Sequence, residues 1–117
     1  MRRSIDLLFS GETVFVAEDK RGYRRFPLLL NVEWEGASGR YQAHTTDISI
    51  DGCFVDTLGA VVEGEMVHLK VFLNDKDVIT LKGFVAHAFP NVGFGLHFVD
   101  LSAEEYSRLV ILLARYA

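Results

Sequence analysis

The sequence predicts an all-β domain with a C-terminal helix, folded as an antiparallel β-barrel of five or six strands. Three observations support this prediction: apolar residues alternate with polar ones along short runs, turn-forming residues separate those runs, and one helical pattern closes the sequence. Half of the 117 residues are hydrophobic, so the chain has enough apolar surface for one core.

Six runs show the alternation of strands that are buried on one face. They are Leu28 to Trp34, Tyr41 to Ile48, Gly52 to Thr57, Glu65 to Leu73, Asp77 to Ala88 and Gly93 to Asp100. Glycine, asparagine, aspartate and proline at 35–39, 74–77 and 90–91 favour turns between the runs. Such short connections imply antiparallel neighbours, and closure into a barrel removes exposed strand edges. Within the strands, we expect Trp34 and Cys53 to point into the core.

A helix is predicted from Ala103 to Ala114, because Ser102 and Glu105 have the spacing of a capping box. The helix either covers a mouth of the barrel or packs on a neighbouring molecule. Its apolar residues recur at helical spacing. They are Tyr106, Leu109, Val110, Leu112, Leu113 and Tyr116.

One domain is expected over residues 20–117, preceded by an N-terminal extension over 1–19. Within the extension, we expect residues 5–9 and 14–16 to form a hairpin, or else residues 5–9 to form a helical turn packed on the barrel, and the sequence does not decide between them. No apolar run reaches the roughly 18 residues that cross a bilayer, so we predict a cytoplasmic protein without membrane insertion. The lone cysteine, Cys53, agrees with a reducing compartment.

The charge pattern indicates a local site for an anion. The net charge is −4, which argues against a partner such as duplex nucleic acid and against a basic groove for single strands. Yet four of the twelve basic residues, Lys20, Arg21, Arg24 and Arg25, fall within six positions. Guanidinium groups can hold a phosphate or the edge of a guanine bidentately. Alternatively, the cluster is a solvated charge run ahead of a strand.

A second segment of interest runs from Asp47 to Gly52, where the second predicted strand turns into the third. A carboxylate such as Asp47 can accept hydrogen bonds from guanine N1 and N2 or from an arginine, and Ser49 can donate or accept. Gly52 lets the backbone turn and approach a ligand. The same segment is also understandable as a strand turn without a ligand.

Together the two segments resemble the PilZ family over residues 20 to 115. That family carries an RxxxR motif ahead of its first strand and a (D/N)xSxxG motif further on. Arg21, Arg25, Asp47, Ser49 and Gly52 occupy the defining positions of both motifs. The run from Gly93 to Phe98 and the closing helix also look like family features.

The resemblance implies a six-stranded barrel that binds the bacterial second messenger cyclic di-GMP. By that resemblance, Arg21 and Arg25 would contact phosphates and guanines, Asp47 and Ser49 would lie on the barrel surface beneath a guanine, and Gly52 would keep the turn open. Lys20 and Arg24 are possible further contacts. Loop ordering would relay the signal to a protein partner of unknown identity. The alternative is a ligand-free interaction module, as in relatives that lack motif arginines.

Other kinds of site are not expected. The four histidines, His44, His68, His87 and His97, form no short-spaced pair of metal ligands and fit ordinary strand positions. Ser49 has no histidine in motif spacing to act as a base. We therefore predict no metal, no cofactor besides the ligand and no enzymatic activity.

Overall fold

The structure is a computed structural model that describes residues 23–74 and 76–116. The predicted extension over 1–19, and with it Lys20 and Arg21, lies outside the described residues. The described part contains six strands and one helix. They are β1 (Asn31–Gly36), β2 (Gly39–Ile48), β3 (Gly52–Asp56), β4 (Met66–Phe72), β5 (Val78–Phe89), β6 (Gly93–Phe98) and α1 (Ala103–Ala114).

The six strands form a closed antiparallel barrel in the order β1-β2-β3-β6-β5-β4, and β4 pairs back with β1. This confirms the predicted fold class. Each strand lies within a few residues of its predicted run, and the largest difference is at β1, which begins at Asn31. Residues 28–30, just before β1, bond to a side chain instead of forming regular strand pairs. The buried Thr45 hydroxyl accepts a hydrogen bond from the Leu30 amide at 3.0 Å and donates one to the Leu28 carbonyl at 2.7 Å.

The core lies inside the barrel around Trp34, which is fully buried as predicted. Its ring meets Phe94 edge to face at 5.0 Å between centroids and stacks on Tyr41 at 4.5 Å. The indole N–H donates to the Thr57 hydroxyl at 3.1 Å, which satisfies a polar group that would otherwise be stranded in the core. Cys53 also points inward and is buried, as predicted.

The helix α1 begins and ends where the sequence predicts, and its capping box is complete. The Ser102 hydroxyl accepts from the Glu105 amide at 3.0 Å, and the Glu105 carboxylate accepts from the Ser102 amide at 2.9 Å. Arg108 donates to the Val78 carbonyl at 2.6 Å, so α1 lies at the end of the barrel where β5 begins. Among the described residues, no helix has the length and apolar character needed to cross a bilayer.

The predicted apolar face of α1 is only partly right. Three leucines, Leu109, Leu112 and Leu113, are buried, and Leu109 and Leu113 belong to the core of the barrel. In contrast, Tyr106, Val110 and Tyr116 are between 43% and 52% exposed. The helix therefore packs on its own barrel through a narrow leucine stripe, because a helix on the surface of a small barrel has only one side to bury.

Two β-bulges interrupt the regular alternation of the barrel wall. In β2 the register shifts between Thr45 and Asp47, and in β5 it shifts between Val85 and His87. A bulge inserts one unpaired residue, so the side chains that follow it change face. In β2 the inward series that includes Thr45 resumes at Ile48 instead of Asp47. The bulge thereby turns the Asp47 carboxylate to the outer surface.

Candidate ligand-binding site

The backbone of Phe26 fixes the position of the second motif arginine. Phe26 and Ile48 form an isolated antiparallel bridge in which each amide donates to the other's carbonyl at 2.9 Å. Both side chains are buried. Because neighbouring residues of an extended segment face opposite ways, Arg25 and Asp47 both point outward. They are diagonal neighbours across the bridge, within the reach of a long side chain.

The side chains of Arg25 and Asp47 are in direct contact. Arg25 Nε donates to Asp47 Oδ1 at 2.8 Å, and Arg25 Nη2 donates to the same oxygen. The two side chains are 23% and 34% exposed, so each keeps part of its polar surface available to a ligand. A guanidinium and a carboxylate held together in this way combine a donor fork with an acceptor.

Arg24 takes a different position from its neighbour. Its guanidinium lies over the Phe26 ring, 4.9 Å from the ring centroid, a cation–π arrangement that covers the edge of the core. A cavity on the outer wall of the barrel is lined by Arg25 and not by Arg24. Of the two arginines in the described residues of this segment, Arg25 alone contacts the aspartate motif.

Ser49 lies in the turn after β2 and is fully buried. Its hydroxyl donates to the Asp51 carboxylate, and its amide donates to the Gly52 carbonyl at 2.8 Å. The same hydroxyl accepts from the Asp51 amide at 3.2 Å. This differs from the expectation that Ser49 lies on the barrel surface, because here it organises the turn that carries Asp47 and Asp51.

Gly52 is required by packing between strands. A Cβ at this position would lie 2.3 Å from the Leu96 carbonyl oxygen of β6, far inside van der Waals contact. Only glycine therefore allows β3 and β6 to approach each other here. This close approach places the turn beside the outer wall formed by β3, β5 and β6.

A cavity of about 460 Å³ opens on that outer wall, within the size range of small-molecule sites. Arg25, Asp47, Asp51 and Gly52 line one side of it. The rest comes from outward positions of β3, β5 and β6 around Gly95, above which the space is open. These positions include Phe54, His87, Phe89 and His97.

Sequence reasoning missed these four outer-wall side chains as site residues. The signal was present but ambiguous: Phe54 and Phe89 stand at polar-face positions of their strands, with ring centroids 6.0 Å apart. Neighbouring apolar side chains on the solvent side of a barrel can mark a surface to which a ligand or partner binds. The sequence pattern predicts His87 and His97 as ordinary strand residues, yet both border the cavity.

Directly behind the cavity lies the Cys53 thiol. Burial raises its pKa from 9.0 to about 12, and the charge of Asp47 contributes in the same direction, whereas Arg25 opposes the shift. A thiol held in this protonated form is a poor nucleophile. Cys53 therefore acts as a small apolar side chain of the wall.

The remaining predicted site residues, Lys20 and Arg21, lie outside the described residues. The structure thus brings Arg25, Asp47 and Gly52 to one cavity, and Ser49 is buried within the turn that joins Asp47 to Gly52. The roles of all five motif residues in binding stay predictions.

The PilZ domain family model matches residues 19–115. The chain therefore belongs to the PilZ domain family, a family of regulatory binding modules that includes receptors for cyclic di-GMP as well as proteins that bind no ligand. A search of curated proteins finds no match.

Two solved structures have the same fold. The Bacillus subtilis inhibitor of motility MotI/DgrA is similar with a TM-score of 0.69 at 18% identity, over 85% of this chain and 51% of that protein. The chain thus spans about half the length of MotI/DgrA. The PilZ domain of CeSA from a cellulose-synthesizing bacterium is similar with a TM-score of 0.61 at 19% identity, over 76% of this chain and 93% of that domain.

Proposed function

We propose that this domain is a receptor for cyclic di-GMP, which it binds in the cavity beside Arg25 and Asp47. The observation that carries the proposal is the contact of these two motif side chains at the wall of a cavity of about 460 Å³. Family membership supports the choice of ligand. The chemistry agrees with it, since the ligand combines two phosphates with two guanines.

In this proposal each member of the Arg25–Asp47 pair meets a complementary group of the ligand. The guanidinium binds a phosphate or the O6 and N7 edge of guanine, and the carboxylate accepts from guanine N1 and N2. Arg21 supplies a second guanidinium from the same motif. Because the ligand gives both charges of the pair new partners, it can loosen their mutual contact without leaving either charge unpaired.

The turn residues support the site from below. Ser49 and Gly52 hold Asp47 and Asp51 at the cavity rim through the turn contacts and through the close approach of β3 to β6. Phe54 and Phe89 offer an apolar surface for the flat face of a base. Lys20 and Arg24 remain possible additional contacts, although Arg24 lies over Phe26 in the structure.

The signal would pass to a protein partner through the segment that carries the two motif arginines. A ligand shifts such a segment only if it binds one arrangement better than the others. Arg25 would supply that preference, because it belongs to the segment and to the site. MotI/DgrA is by name an inhibitor of motility, which makes a motility protein one candidate partner. We place this activity in the bacterial cytoplasm.

The test is a calorimetric titration of the folded chain with cyclic di-GMP, with cyclic di-AMP and GMP as comparison ligands. We expect saturable binding of cyclic di-GMP and a loss of at least about thirtyfold in affinity for Arg25→Ala, since a hydrogen bond to a charged group contributes about 2 kcal/mol. Arg40→Ala is the matched control, because Arg40 pairs with Glu33 at 3.2 Å and does not line the cavity. A folded chain that gives no binding heat contradicts the proposal.

The second candidate function is a ligand-free interaction module. It is favoured by one observation: Arg25 and Ser49 already have partners within the domain, in Asp47 and in Asp51. If these contacts are purely structural, Arg25→Ala will lower stability while the wild-type chain binds no cyclic dinucleotide. The same titration, combined with a denaturation curve, separates the two functions.

A further inference from the structure

Two histidines face the cavity from the outer wall of the barrel. His87 lies on β5 opposite Gly95, and His97 lies on β6 opposite Gly52 on one side and Phe84 on the other. Both side chains are exposed. The His87 ring lies 6.5 Å from that of Phe89, and the His97 ring lies 5.0 Å from that of Phe84. Their positions hold the imidazoles at the cavity beside Arg25 and Asp47.

The part of the cavity lining that the structure describes carries more fixed negative than positive charge. Among the described residues, the lining contains one guanidinium, Arg25, and two carboxylates, Asp47 and Asp51. With neutral imidazoles this set carries a net charge of −1, and with two imidazolium rings it carries +1. Two imidazolium rings would therefore make the described wall more favourable for a phosphate than two neutral rings.

We infer that His87 and His97 are ligand-contacting residues that couple binding of the anionic cyclic dinucleotide to proton uptake. The inference rests on the proposed function and adds two residues and a pH dependence to that site. Histidine is the side chain whose charge ordinarily changes between about pH 5 and pH 8. A bound phosphate favours the protonated ring, so the complex holds more protons than the free domain, and affinity rises as pH falls.

The bulge in β5 explains why His87 is in position to do this. The register shift between Val85 and His87 leaves Val85 in the core and turns His87 outward above the cavity. On the other side, the absence of a side chain at Gly95 leaves open space between the His87 and Phe54 positions. A ligand that enters this space reaches both imidazoles.

Other charged groups also face the two rings. Near His87, Glu63 accepts from the Ala88 amide at 3.4 Å. Near His97, Lys82 lies on the outer face of β5, like Phe84, and forms an ion pair with Asp100 at 3.7 Å. Asp51 lies beside His97 because its carbonyl accepts from the Phe98 amide at 2.9 Å. These groups are common to the wild-type chain and to variants at the two histidines, so such variants isolate the histidine contribution.

The experiment measures cyclic di-GMP affinity by calorimetry at about pH 6, 7 and 8 in phosphate-free buffers of different ionisation enthalpy. We expect affinity to rise about three- to tenfold from pH 8 to pH 6, given modest contributions from exposed ion pairs. The buffer dependence of the heat should report net proton uptake. The variant carrying both His87→Gln and His97→Gln should lose the pH dependence and the proton uptake.

His68→Gln serves as the matched control, because His68 lies on β4 and does not line the cavity. It should keep the wild-type pH dependence. Binding that is independent of pH, or a double variant that keeps the pH dependence, overturns the inference and leaves the proposed function intact. Failure of the wild-type chain to bind at any pH contradicts the proposed function itself.

Discussion

Phe26 and Ile48 exchange two backbone hydrogen bonds of 2.9 Å with both side chains buried in the barrel. This bridge sets the register of the arginine segment against the end of β2. Arg25 and Asp47, which point outward beside this bridge, belong to the two separate sequence motifs. A contact inside the core therefore brings Arg25 next to the aspartate of the second motif.

Replacement of the buried anchor should weaken both the fold and the site. Phe26→Ala is expected to lower the free energy of unfolding by about 3 kcal/mol, because it removes a large core side chain. A urea denaturation curve measures this change. Leu29→Ala is the control, since Leu29 is 73% exposed and its loss should change stability by no more than about 0.5 kcal/mol. Equal effects of the two substitutions would show that Phe26 is not an anchor.

Two glycines of the cavity should respond in opposite ways to an added methyl group. Gly52→Ala should destabilise the fold by about 2 kcal/mol or more, because its Cβ would lie 2.3 Å from a backbone oxygen. Gly95→Ala meets open space, so it should leave stability within about 0.5 kcal/mol of wild type. The added methyl group at Gly95 should still weaken cyclic di-GMP binding, because it would occupy the open space above this residue, which forms the floor of the cavity.

Thermal unfolding and calorimetry on the same two variants check this contrast. If Gly52→Ala were as stable as wild type, the packing explanation for this motif glycine would be wrong. If Gly95→Ala bound the ligand normally, the ligand would not occupy the floor of the cavity.

The barrel and its helix could be predicted from the sequence because their signals are local. The alternation of apolar and polar residues predicted the six strands, and the spacing of Ser102 and Glu105 predicted the start of α1. Both hydrogen bonds of the capping box are present in the structure. The exposed side of α1 was not predicted. Tyr106 and Tyr116 fit the helical period of the leucines, yet the barrel offers no surface for them to bury.

Alternation alone could not predict the geometry of the site, because that geometry depends on two bulges; the outward position of Asp47 was expected only from the family resemblance. Strict alternation from Thr45 would turn Asp47 into the core, and the bulge in β2 turns it outward instead. Nothing in the residues 45–48 marks that extra position, since a bulge depends on how the partner strand pairs. For the same reason the pattern of β5 did not reveal that His87 faces the cavity.

The buried thiol should produce a specific pH dependence of stability at alkaline pH. The pKa of Cys53 is raised from 9.0 to about 12 in the folded state. Above pH 9 the unfolded chain gains stability by ionising a thiol that the folded chain keeps protonated. The thiol contribution is therefore fully present below pH 9 and is lost as pH rises toward 12, by about 1.4 kcal/mol per pH unit.

Urea denaturation of the wild-type chain and of Cys53→Ala at pH 8 and pH 10 tests this sign. We expect wild type to lose about 1 kcal/mol more than the variant between the two pH values, since the other titrating groups are common to both. Thiol labelling should also be slow in the folded chain and fast in denaturant. Identical pH slopes would mean that the thiol is not shielded as the structure indicates.

Asp47 offers the sharpest test of how the site recognises its ligand. If its carboxylate accepts from guanine N1 and N2, Asp47→Asn should weaken cyclic di-GMP binding roughly ten- to thirtyfold, because one hydrogen-bonded acceptor becomes a mismatched donor. Stability should change by no more than about 1 kcal/mol, since the Arg25–Asp47 pair is partly exposed. Discrimination against cyclic di-AMP should also decrease.

Asp56→Asn is the control for this substitution, because Asp56 pairs with His44 at 3.1 Å and does not line the cavity. It should bind like wild type. Combining Asp47→Asn with Arg25→Ala then measures the coupling between the two residues. If Asp47 only holds Arg25 in place, Asp47→Asn will have no further effect once Arg25 is removed, and guanine selectivity will not change. If Asp47 contacts the base, selectivity will fall even in the Arg25→Ala background.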